Sequence, residues 1–153
     1  MPGGNNLLLV RKAKANLDLA GDLIMGFWIF MTLMDLLIPV TMIGFGRSFM
    51  RKPPENINPW HGYRTRMSMK NRDTWEFAHR CAGKVWFVTG WIVLLLTIPA
   101  MLLLLGHDEN TIGTVGGIIC LAQCVPMAAV TVPTEIALRK NFDKQGNRRE
   151  AGR

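Results

Sequence analysis

Val85-Trp-Phe-Val-Thr-Gly-Trp-Ile-Val-Leu-Leu-Leu-Thr-Ile-Pro-Ala-Met-Leu-Leu-Leu-Leu105 runs for 21 residues without a charged side chain. Coiled as a helix at ~1.5 Å rise per residue, it spans a ~30 Å hydrocarbon core. Leu23 to Phe45 and Ile112 to Val132 are of similar length and also lack Lys and Arg. The chain of 153 residues is 49% hydrophobic and 19% charged, averages that would fit a water-soluble domain. Their distribution does not fit one, because the apolar residues form three blocks with the charges between and after them. That excludes an ordinary globular enzyme core, a disordered chain and a nucleic-acid-binding domain. The sequence predicts an all-α integral membrane protein, a bundle of three transmembrane helices over residues 21–46, 82–106 and 112–137.

The net charge of +7 is explained by topology. Lys and Arg number three before the first block (Arg11, Lys12, Lys14), nine from Arg47 to Lys84, none in the 107–111 turn and six from Arg139 onward. With three crossings, the loop (47–81) and the tail (138–153) share a side. The positive-inside rule puts both in the cytoplasm, with the segment 1–20 and the 107–111 turn outside, and predicts a multi-pass cell-membrane protein. Attraction to anionic lipid follows from the same charges, and no nucleic-acid partner is implied. The first 20 residues do not read as a cleavable signal peptide. Leu7 to Ala20 is expected to form a short helix on the outer membrane surface. Cys81, Cys120 and Cys124 are too few and too deep in apolar sequence for a disulfide framework.

Arg51-Lys-Pro-Pro-Glu-Asn-Ile-Asn-Pro59 carries three prolines in nine residues and cannot be helix interior. Helical periodicity resumes near Asn71, a favoured N-cap, with Asp73 and Glu76 in the first turns. Trp75, His79, Ala82, Gly83 and Trp86 then mark one face of a juxtamembrane amphipathic helix that runs on into the second crossing. Trp86 and Trp91 suit the membrane interface.

The segment between Asn58 and Trp75 is the least lipid-like part of the chain. Gly62 permits a tight turn. Arg64 is a planar five-donor fork. Thr65, Ser68 and Asn71 are short capping groups, and Trp60, Tyr63 and Trp75 are amphipathic aromatics. The residues allow a ligand- or partner-binding loop, and equally a loop that Arg64 ties to helix carbonyls or lipid phosphates. His79 reads as a packed hydrogen-bonding residue. His61 and His107 lack neighbours at metal-ligand spacing, so no metal or cofactor is implied.

Asn58, Gly62, Tyr63, Arg64, Thr65, Ser68, Asn71, Trp75, Ala78, His79 and Gly83 follow the spacing of a hallmark loop and helix, and residues 56–105 thereby resemble the SdpI family of bacterial multipass membrane proteins. The resemblance implies a non-enzymatic role. The founding member protects a Gram-positive bacterium from its own secreted membrane-active toxin peptide and signals by drawing an ArsR-type repressor to the membrane. The resemblance thus implies immunity or signalling: the protein is expected to block a membrane-active toxin peptide, or to relay its presence by binding a cytosolic repressor through Asn58 to His79 and the basic tail. The founding member is longer, with further helices before the motif.

Asp35 lies near the midpoint of the first crossing, where a carboxylate is expensive and faces the bundle interior. Thr97 and Gln123 lie at comparable depth, and the three are expected to form a buried polar cluster that either carries protons or locks the helices. This supports an alternative function, a small proton-coupled transporter or anionic-lipid-binding protein using Asp35 and Arg64. Gly113, Gly117, Cys120 and Cys124 form a small-residue stripe expected to pack within the bundle or across a homodimer. Pro126 and Pro133 are expected to bend the third crossing. A membrane enzyme finds no paired carboxylates or nucleophile–base pair in its favour.

Overall fold

The computed structural model describes residues 4–57, 60 and 62–149, with side chains from residue 8 onward. Four helices follow in order: α1 (Gly4–Arg51), α2 (Arg72–Leu103), α3 (Glu109–Ala129) and α4 (Thr131–Asn141). Among the described residues the only β pairing is an isolated bridge between Phe142 and Arg148. Three spans, α1, α2 and α3 with α4, are long and apolar enough to cross a membrane. The protein is all-α.

Burial is inverted relative to a water-soluble bundle. Only 22% of the most apolar window of α2 is buried, and Leu95, Leu96, Leu103 and Leu121 are exposed. Lipid is the solvent in which such a surface costs nothing. The buried apolar residues gather at the two ends. Met101, Leu104 and Ile112 close the turn end against Ile24, Phe27 and Trp28. Tyr63, Met67, Ala78, Ala82, Leu138 and Phe142 form a second core at the loop end.

The helix limits depart from the sequence reading at two places. The stretch 4–20 is not a separate surface helix, because α1 continues through Gly21 without a break. At 48 residues it is ~72 Å long, well beyond the ~30 Å hydrocarbon core. The juxtamembrane helix does run unbroken into the second crossing, over 32 residues. The third crossing is interrupted rather than merely bent: α3 ends at Ala129 and α4 begins at Thr131. Pro133 has no N–H to give the Ala129 carbonyl, which removes the bond that would bridge this point.

A close contact joins α1 to α2 through two glycines. A Cβ on Gly83 would meet the Gly46 carbonyl at 2.8 Å, and one on Gly46 would meet the Gly83 carbonyl at 2.8 Å. Close backbone approach through small residues is the usual packing device in lipid. Two indoles add hydrogen bonds across helices. Trp28 Nε1 donates to the Met101 carbonyl at 2.8 Å, and Trp86 Nε1 to the Met127 carbonyl at 3.0 Å. Both acceptors lie in the last turn of a helix; the Met101 carbonyl also takes the Leu104 N–H at 3.2 Å.

Candidate functional site

The site is built on the start of α2. Asn71 is its N-cap: the side chain accepts the Thr74 N–H at 2.8 Å, while Thr74 Oγ1 accepts the Asn71 N–H at 3.1 Å. This reciprocal capping box satisfies two donors that the first turn leaves open. Trp75 and His79 follow one turn apart, both fully buried, with ring centroids 4.3 Å apart. Phe49, from the end of α1, meets the His79 ring edge-on at 4.9 Å.

The loop is fastened to this face by its own motif residues. The Tyr63 N–H donates to His79 Nε2 at 2.9 Å, and His79 Nδ1 lies 2.8 Å from the Trp75 carbonyl. Since Nε2 must accept, the ring is neutral and carries its proton on Nδ1. Gly62 makes the turn possible. Its φ is +110°, and a Cβ there would run into the His79 ring. Ser68 Oγ donates to the Tyr63 carbonyl at 3.0 Å and accepts the Thr65 N–H at 2.8 Å. Thr65 Oγ1 in return accepts the Ser68 N–H at 3.1 Å. Trp75 Nε1 donates to the Pro54 carbonyl at 2.9 Å, fixing the start of the loop. Tyr63 Oη donates to the Thr131 carbonyl at 3.1 Å, where α4 begins. Burial, with smaller contributions from Glu135 and Cys81, pushes that phenol up to about 12, so it remains a donor at physiological pH.

The motif therefore divides by role. Tyr63, Ser68, Trp75 and His79, expected to contact a ligand or partner, point inward and hold the loop. Arg64 is exposed and makes no hydrogen bond or ion pair among the described residues. Thr65 is half-buried, and Trp60 stands 88% exposed. Asn58 lies outside the described residues. The arrangement offers a rigid platform that presents a guanidinium fork, suited to carboxylate, phosphate or backbone carbonyls.

The C-terminal stretch, read from sequence as a basic tail, contains a folded hairpin. Asp143 Oδ1 accepts the N–H groups of Gln145 and Asn147 at 2.8 and 2.9 Å, and Gly146 takes φ +90°. The hairpin docks on the start of α2. Asn71 Nδ2 donates to the Gly146 carbonyl at 2.7 Å, and Arg148 grips both Asp73 carboxylate oxygens at 2.7 and 2.8 Å. The signal was present in Asp143-Lys-Gln-Gly-Asn147, an Asx turn followed by glycine.

At mid-bundle, Asp35, Thr97 and Gln123 are all buried. Gln123 Nε2 donates to Thr97 Oγ1 at 2.8 Å, joining α2 to α3. Asp35 joins neither: both its oxygens, and Gln123 Oε1, are buried without a hydrogen-bond partner. The small-residue stripe is not the contact face within the bundle. A Cβ on Gly113 would lie 3.5 Å from Phe27, but Gly117 has nothing within 4 Å. Cys120 is half-buried and Cys124 exposed. The face that meets α1 carries Ile112, Gly116 and Gln123, with Gly116 against Met31 and Asp35. That face lies one residue, ~100°, around the helix from the expected one.

Fold and site together define a small multi-pass helical membrane protein with a hydrogen-bonded loop platform at one end of its bundle. Residues 55–134 match the SdpI/YfhL protein family, which is more than half of the chain, and the chain belongs to that family. The match covers the platform, α2, α3 and the start of α4. Among curated relatives, "Uncharacterized protein YfhL" of Bacillus subtilis (strain 168) is 36% identical over 73 residues, which is 48% of this chain and 59% of the relative. The chain thus spans less than two thirds of that relative's length. No solved structure matches it.

Proposed function

We propose that the protein is a non-enzymatic immunity or signalling protein of the SdpI type, its platform and C-terminal hairpin in the cytoplasm and its N-terminus outside. In this reading it blocks a membrane-active toxin peptide, or relays that peptide's presence by binding a cytosolic repressor through the face around Arg64. The supporting observation is the division of the motif: among the described residues, Tyr63, Ser68, Trp75 and His79 are committed to holding the loop, while Arg64 is left exposed and unengaged. With the backbone beneath Arg64 held in advance, binding has only the side chain to order, which costs less entropy than ordering a mobile loop as well. The test is expression in a strain sensitive to a membrane-active peptide toxin, wild type against Arg64→Ala at matched membrane levels. Protection should require Arg64. Equal protection by both proteins sinks the assignment of the loop arginine.

A second reading, a small proton-coupled transporter, is favoured by the unpartnered Asp35 carboxyl, because intramembrane ionisable groups commonly mark proton paths. Proton flux into liposomes that is lost in Asp35→Asn supports it, and flux indifferent to that substitution rejects it.

A further inference from the structure

Away from Arg64, five cationic side chains from three separate stretches of chain converge on one cleft of about 570 Å³. Arg66 and Lys70 come from the loop, Arg139 from α4, and Lys144 and Arg149 from the hairpin. Met67 and Phe142, both buried, supply apolar floor. Two carboxylates also border the cleft. Glu135 pairs with Arg139 through one oxygen, Oε1 lying 3.3 Å from Nε, while its Oε2 is buried without a hydrogen-bond partner among the described residues. Asp143 is the hairpin's turn acceptor, and those backbone hydrogen bonds hold it below the usual carboxylate range, so it stays ionised and occupied. Arg66, Lys70 and Lys144 make no hydrogen bond or ion pair among the described residues, and Arg149 spends only Nε, on the Phe142 carbonyl at 3.1 Å.

A topological excess of basic residues on one side requires number, not convergence. Like charges gathered around one concavity repel one another unless an anion joins them. The cleft is also fixed in advance. Its outer wall is the hairpin, clamped by the Arg148–Asp73 pair and by Asn71 on the Gly146 carbonyl, so no ordering of a loose tail is needed on binding. Its volume falls in the range of small-molecule sites, roughly 300–1,000 Å³.

We propose that this cleft binds the phosphate of a phosphorylated ligand, a phosphomonoester or phosphodiester. Arg66 and Arg149 offer guanidinium donors, Lys70 and Lys144 act as mobile point charges, and the apolar floor takes the carbon skeleton. The site does not depend on the reading of Arg64. A lipid head group and a soluble phosphate share this chemistry, since α4 delivers the cleft to the loop end of a membrane span.

The test uses the full chain in detergent micelles. Phosphatidylglycerol retention is read by native mass spectrometry, glycerol 3-phosphate binding by calorimetry, with poly-glutamate as a non-phosphate polyanion. One variant removes cleft charge (Arg66→Gln with Lys70→Gln and Arg149→Gln). A control removes equal charge elsewhere (Arg11→Gln with Lys12→Gln and Lys14→Gln). Lipid retention or glycerol 3-phosphate binding should fall at least tenfold in the cleft variant and less than twofold in the control. Retention of lipid alone assigns a head-group site, and binding of glycerol 3-phosphate assigns a soluble one. Amide exchange on the wild type, which needs no variant, should show residues 66–70 and 142–149 slowed by whichever probe binds. Equal loss in both variants, poly-glutamate binding tighter than either phosphate, or no slowing with either probe overturns the proposal.

Discussion

Gly62→Ala probes the joint on which the platform rests. At φ +110° the new Cβ sits in backbone territory that L side chains rarely adopt, and it also runs into the His79 ring. The conformational strain is worth about 1–3 kcal/mol. Displacing the ring breaks the Tyr63 N–H to His79 Nε2 bond and strands a buried donor, a further cost of about 1–3 kcal/mol. The loop cannot sidestep both effects, because Ser68 holds the Tyr63 carbonyl and Trp75 holds Pro54. The transmembrane helices, bonded internally, should be little affected. Hydrogen exchange in detergent micelles reads this directly: a loss of about 2 kcal/mol or more opens the loop roughly 30-fold more often. Amides of residues 62–68 should exchange at least that much faster while the middle of α2 keeps its protection. Unchanged exchange in the loop, with an unchanged melting curve, refutes the geometry assigned to Gly62, Tyr63 and His79.

Gly83→Val should lower the melting temperature in detergent, at about 1–3 kcal/mol for overpacking, because its side chain enters the Gly46 and Met50 backbone; Gly117→Val, with nothing within 4 Å, should leave the monomer's melt unchanged. Asp35→Leu should melt at or above the wild-type temperature, since the carboxyl contributes no hydrogen bond and isosteric apolar replacement of a buried polar group is near neutral; a loss beyond about 2 kcal/mol assigns it a helix-locking bond instead. The hairpin should be acid-sensitive. The Arg148 hydrogen bond holds Asp73 below its ordinary 3.8, so its stabilisation is fully present above that value and is lost as the pH falls through the depressed one. Exchange protection of residues 142–149 should hold from pH 7 to 5 and decline below about 4, with Arg148→Gln showing the weakened hairpin already at pH 7.

The three apolar spans, the helix start at Asn71 and the placement of Asp35, Thr97 and Gln123 inside the bundle were legible because each depends on a run or cap of neighbouring residues. The Gly62 turn was legible for the same reason. What escaped depends on partners far apart in the chain. The rotation of α3 that turns Gly116 inward rather than Gly117 is chosen by Met31 and Asp35 on α1, about eighty residues earlier, and small residues on both faces leave it open in the local pattern. The fit of Gly46 to Gly83 is likewise tertiary. The hairpin's anchorage needs Asp73 opposite Arg148, which charge counting reads only as topology. The inward roles of Tyr63 and Trp75 escaped for a related reason: aromatic residues in and beside a loop look like binding surface until their hydrogen bonds are seen to run inward.

Orientation decides whether the platform can reach a cytosolic partner at all. In a background with Cys81, Cys120 and Cys124 replaced by Ala, Glu109→Cys at the start of α3 and Lys144→Cys in the hairpin are each treated, in intact cells, with a membrane-impermeant maleimide. The cysteine at 109 should label at once, and that at 144 only after the cells are opened. Labelling of 144 in intact cells, with 109 protected, would place the Arg64 platform outside and contradict the relay.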